Sequence, residues 1–89
     1  MKKRQEFYKS PIDGFIYYKA DETDPTYRYY GFQSPFKEFY IMRLTVADNT
    51  AEYYYNQDVE YFDENWNDRA TGITYQQPYL AFASTVDVN

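Results

Sequence analysis

Short runs of alternating apolar and polar residues, separated by clusters of turn formers, organise most of the chain. GFIYYKA (14–20) sets Phe15, Tyr17 and Lys19 on one face of a strand and Ile16, Tyr18 and Ala20 on the other, following the two-residue period of extended backbone. DETDP (21–25) interrupts it, and TYRYYGFQ (26–33) reads as a second strand. SPFKE (34–38) is a turn with Pro35 in a position that proline tolerates. The longest run is EFYIMRLTVA (38–47), where Phe39, Ile41, Arg43 and Thr45 alternate with Tyr40, Met42, Leu44 and Val46. The second set makes the better core face. DNT (48–50) accepts a left-handed backbone and predicts a hairpin into AEYYYNQ (51–57).

Beyond residue 57 the period changes. In DVEYFDENWNDRA, Phe62, Trp66 and Ala70 recur at i, i+4 and i+8, which predicts one short helical turn near 62–69 with Asp58 or Asp63 as its cap. TGITYQQ and PYLAFAS (71–84) add one or two strands. The predicted fold is all-β: a small antiparallel β-sandwich or partly open barrel of five to six strands with that one helical turn. Residues 1–12 read as a flexible basic arm, 13–85 as a single β domain and 86–89 as a frayed end.

Composition sharpens this picture. Aromatic residues make up 24% of the 89, with 13 Tyr, 7 Phe and one Trp, far more than an ordinary domain carries. A chain this short builds a limited core and borrows stability readily from a partner. Lys2, Lys3, Arg4 and Lys9 face a single acid, Glu6, within residues 1–9, while the rest holds five basic and thirteen acidic residues. An acidic body argues against gripping nucleic acid through its phosphates, so no direct nucleic-acid partner is expected. No run of residues approaches the length and apolarity of a membrane span, no secretion signal is apparent, and no membrane partner is expected.

The chain has no cysteine and no histidine, which removes disulfides, thiolate and imidazole ligands, thiol nucleophiles and imidazole bases. Asp63, Glu64 and Asp68 lie close in sequence but show no catalytic spacing. Asp21, Glu22 and Asp24 lack the spacing of a calcium loop and read as a solvated turn. The expectation is a protein without enzymatic activity and without cofactor or metal.

Binding chemistry rests instead with aromatic side chains. The clusters Tyr17–Tyr18, Tyr27 with Tyr29 and Tyr30, and Tyr53, Tyr54 and Tyr55 place rings on both faces of their strands, and one face is left for a partner or a sugar. Partner-binding residues are expected at Tyr53, Tyr54 and Tyr55 and, in the arm, at Lys2, Lys3, Arg4, Phe7 and Tyr8. Trp66 is expected to be buried, with Arg69 lying against its indole or bridging to Glu60, Asp63 or Asp68. Phe62, Asp63, Trp66, Arg69 and Tyr75 together read as a structural clasp.

The segments TYRYYGFQSP, EFYIMRLTVADNTAEYYYNQ and EYFDENWNDRATGITY, in this order, resemble a family of short tailed-bacteriophage virion structural proteins. That family's pattern runs T-Y-x-G, a W-x-I-x-R strand, a hairpin and a closing F-D-x-x-W-x-x-R-A with a following Tyr. The matching positions are Tyr29, Gly31, Phe39, Ile41 and Arg43, then Phe62, Asp63, Trp66, Asn67, Arg69, Ala70, Thr71 and Tyr75. The likeness covers roughly residues 26 to 75; it departs at Phe39, where the family has Trp, and at FQSPFKE, which replaces an Ala- and Gly-rich turn. It implies a non-enzymatic virion part, made in the bacterial host cytoplasm, that docks on capsid, connector or tail proteins and on copies of itself. The alternatives are a host-carbohydrate-binding adhesin domain and a phage antidefence inhibitor.

Overall fold

The computed structural model describes residues 14–77 and Ala81. Four strands, β1 (Ile16–Asp21), β2 (Tyr27–Gln33), β3 (Phe39–Thr45) and β4 (Ala51–Asn56), form one antiparallel sheet in the order β1-β2-β3-β4. A 3-10 turn (Val59–Tyr61) and a short helix, α1 (Phe62–Asn67), follow. The four strands, the hairpin and the helical turn all fall where the pattern placed them. TGITYQQ does not form a strand: its contribution to the sheet is one antiparallel bridge, Gln76 opposite Tyr53. PYLAFAS lies outside the described residues apart from Ala81, as do the arm and residues 86–89.

Local chemistry explains each connection. Ser34 to Lys37 close a turn through Lys37 N–H to the Ser34 carbonyl (3.0 Å), with Pro35 at its second position and Ser34 Oγ accepting from Phe36 N–H (3.0 Å). Lys37 then takes a left-handed φ of 71°, the conformation that ends a three-residue hairpin loop. Asn49 does the same in the β3–β4 loop, with φ 62°, as an Asn there can.

Register puts a core on each side of the sheet. One holds Tyr30, Phe32, Tyr40, Met42, Leu44 and Tyr53; the other holds Tyr29, Phe39, Ile41, Phe62, Trp66 and Tyr75. Both faces of β3 are therefore buried, the Tyr40, Met42 and Leu44 face along its length and the other at Phe39 and Ile41, with Arg43 and Thr45 half-buried. Val46, assigned to that face, has left the strand and is exposed. The second face is apolar because α1 and the returning segment cover it. At Gly31 the helix comes so close that a Cβ would stand 2.7 Å from Phe62 Cζ and 3.3 Å from Trp66 Cζ3.

The β1–β2 register slips between Tyr17 and Lys19, leaving Tyr18 as an extra residue. Such a bulge re-aims a side chain. Tyr18 keeps the face opposite Tyr17, its ring edge-on to Phe62 at 5.1 Å. The residues that change face are Lys19, which joins it over the Phe62 and Trp66 rings, and Ala20, which packs with the Tyr30 core, reversing the faces that alternation gave them.

Candidate functional site

The clasp segment is a structural assembly in its described contacts. Asp58, not Asp63, caps the 3-10 turn, its carboxylate accepting from Glu60 N–H at 2.9 Å. Asp63 sits exposed in the first turn of α1, where a carboxylate complements the helix dipole. Phe62 and Trp66 stack at 5.7 Å with an 18° interplanar angle, and Phe39 meets Phe62 edge-on at 5.1 Å. Ala70 is exposed and takes no part in the plug.

Arg69 lies with its guanidinium 4.7 Å from the Trp66 ring centre. Its ion-pair partner is Asp21 at the end of β1, reached from Nη2 at 2.7 Å, and not Glu60, Asp63 or Asp68. Its Nη1 donates to the Trp66 carbonyl at 2.7 Å. The Thr23 hydroxyl, at 2.6 Å from Asp21, and the Arg69 guanidinium hold the Asp21 carboxyl down at about 2. Tyr75 closes the assembly, its hydroxyl donating to the Arg69 carbonyl at 2.9 Å. Arg43 lies between the rings of Tyr27 (4.6 Å) and Tyr75 (4.4 Å) and pairs with Glu52.

The tyrosines of β4 do not form an exposed platform. Tyr53 is in the core beneath the Gln76 bridge, and Tyr54 and Tyr55 are half-buried. The Tyr55 hydroxyl donates to Glu38 at 2.6 Å, and Tyr54 packs toward Phe39. Lys2, Lys3, Arg4, Phe7 and Tyr8 lie outside the described residues. Among the described residues no group of three or more His, Cys, Asp or Glu side chains is arranged to hold a metal ion, and no helix is long and apolar enough to cross a membrane.

Exposed apolar surface gathers elsewhere, at the end of the sheet where β1 begins and β2 turns into β3. Ile16 is 68% exposed, Tyr18 52% and Tyr17 38%, and Phe36 at the tip of the turn is 81% exposed. Ile16, Tyr17 and Tyr18 form one side of an open cleft of about 280 Å³, and Gln33, Ser34 and Pro35 form the other. Ile16 and Tyr18 share one face of β1, and the three-residue loop leaves Pro35 and Phe36 exposed. Tyr17 and Tyr18 belonged to a recognisable tyrosine cluster; Phe36 sat in a segment read only as a turn.

Comparison with known proteins returns no match for this chain, whether to a family model, to a curated protein or to a solved structure.

Proposed function

We propose that this chain is a non-enzymatic structural module of a tailed-bacteriophage virion, docking in many copies onto the capsid as decoration or cement, or at the head-tail or tail region. The observation that carries the reading is the rim of Ile16, Tyr17, Tyr18, Pro35 and Phe36. From these exposures and the size of aromatic side chains it presents roughly 400 to 500 Å² of apolar surface, in the range where a patch on a small protein has a use. The likeness of residues 26 to 75 to virion proteins supplies the setting. Symmetric particles suit a small domain, since many weak contacts add through avidity. The sandwich or barrel of five to six strands belongs to this proposal.

Mass spectrometry of purified particles from the phage or prophage that encodes the chain tests the reading. Recovery in a fixed ratio to the major capsid or tail protein is the expected result; absence from particles refutes it. One observation favours the adhesin as the second reading: Tyr17, Tyr18 and Gln33 line one cleft, and an aromatic face beside an amide is a chemistry suited to a sugar ring. Glycan-array binding lost on Tyr18→Ala would establish that reading.

A further inference from the structure

We infer that the cleft between Ile16–Tyr18 and Gln33–Pro35 receives the basic N-terminal arm of a second copy of this chain. This rests on the proposed role as a repeated virion subunit and names the contact through which copies would join.

Charge and apolar chemistry both point to that occupant. Tyr18, one wall of the cleft, touches Phe62 of α1, so the cleft wall continues into the segment carrying Asp58, Glu60, Asp63, Glu64 and Asp68, which holds no basic residue before Arg69. The start of that segment is fastened to the same turn that bears Phe36, through Val59 N–H to the Lys37 carbonyl at 2.7 Å. An apolar cleft beside an acidic flank calls for a segment that is basic and aromatic. MKKRQEFYK is the only stretch of the chain with that character, with Lys2, Lys3, Arg4 and Lys9 around Phe7 and Tyr8. Phe7 or Tyr8 would fill the cleft, and the cations would face the acids of α1.

Reach is sufficient. Thirteen residues precede Gly14 and span up to about 45 Å when extended, against a longest molecular dimension of 36 Å. In the single chain Ile16 and Tyr18 keep most or half of their surface open. The apolar rim provides about half of the roughly 800 Å² that each side of a stable interface buries, and the arm's charged side chains against the acidic flank provide the rest. The contact is heterologous, the arm of one copy in the cleft of the next, and repeats from copy to copy.

Sedimentation velocity of the full chain over micromolar to several hundred micromolar concentration tests this, with circular dichroism confirming that each variant is folded. Wild type is expected to self-associate, more weakly in 0.5 M salt. Phe7→Ser and Tyr18→Ser are each expected to weaken association about tenfold or more, as loss of an interface anchor does, with Ile16→Ser as the substitute if Tyr18→Ser unfolds. Mixing the two variants should restore a discrete heterodimer, because one retains an intact arm and the other an intact cleft. A chain that stays monomeric throughout, association indifferent to Phe7 and Tyr18, or no recovery on mixing overturns the inference. So does a cleft occupied by its own arm, seen as Tyr18 resonances that shift on Phe7→Ser but not with concentration. Presence in particles with unchanged occupancy of both variants would sink the arm contact and leave the virion reading standing. Arm-dependent association of a protein absent from particles would do the reverse.

Discussion

Gly31→Ala separates two opposing effects whose magnitudes decide its sign. Within a strand, replacing glycine by alanine ordinarily stabilises by about 0.5 to 1 kcal/mol, because the unfolded glycine has more freedom to lose. Here the added methyl would lie 2.7 and 2.9 Å from Phe62 Cζ and Cε1. Phe62 cannot swing away, being packed against Tyr18, Phe39 and Trp66 at ring-centre distances of 5.1, 5.1 and 5.7 Å. The whole of α1 must lift, and overpacking of this kind costs about 1 to 3 kcal/mol. The net expectation is a loss of about 1 to 2 kcal/mol, or roughly 4 to 16 °C in Tm for a domain of this size. Urea unfolding followed by the fluorescence of Trp66, the chain's only tryptophan, reads it beside the site. Phe62→Leu, which removes the far edge of the ring, should erase most of the penalty of Gly31→Ala, giving a coupling of at least about 1 kcal/mol in a double-mutant cycle. Gly31→Ala as stable as wild type, or equally harmful with and without Phe62, would refute the close approach of helix and sheet.

Trp66→Ala removes a ring that is 7% exposed and should cost about 3 to 5 kcal/mol in chemical denaturation; a loss below about 1 kcal/mol would mean the indole does not plug the sheet. Asp21, with its folded pKa near 2 against about 3.9 unfolded, contributes stability that is fully present above pH 4 and fades as pH falls toward 2. Asp21→Asn should therefore cost about 1 to 2 kcal/mol at pH 7, and its gap to wild type should close between pH 4 and 2; a gap constant with pH counts against the ion pair. Burial raises the phenol pKa of Tyr75 and Tyr53, and burial with the Glu38 carboxylate raises that of Tyr55. The folded state holds these protons more tightly, so stability should decline as pH rises above about 10, with tyrosinate absorbance appearing together with unfolding; early ionisation of all tyrosines without unfolding would contradict their burial.

Much of the sheet was legible because its signals are local. Alternation marks the strands, and Pro35, Asp48 and Asn49 mark the loops between them. The positions of Phe62 and Trp66 foretold a helical turn because one period separates them. What escaped depends on contacts distant in sequence. The β3 pattern reads as having one better face, since nothing near it announces that α1 will bury the other. Arg69 had acids within easy reach along the chain, yet its partner is Asp21, 48 residues away, brought there by the position of β1. The tyrosines of β4 read as exposed because the Gln76 bridge over Tyr53 and the Glu38 partner of Tyr55 are set only by tertiary packing. The candidate site was legible only in part: the faces of Tyr17 and Tyr18 followed from alternation, whereas the one-residue bulge that turns Lys19 toward Trp66 and Ala20 toward the other core is signalled by no residue type.

The strand order has a consequence for how the chain folds. Every neighbour in the sheet is also a neighbour in sequence, so each pairing closes a loop of only a few residues, and such low contact order favours rapid folding. The Asp21–Arg69 tie closes across 48 residues and carries a larger loop entropy. The meander is therefore expected to form first and the clasp to dock onto it late. Substitutions in α1 or at Arg69 then act chiefly on the unfolding rate, with φ-values near zero. On this expectation the clasp acts as a kinetic lock, governing how long the domain stays folded more than how fast it gets there.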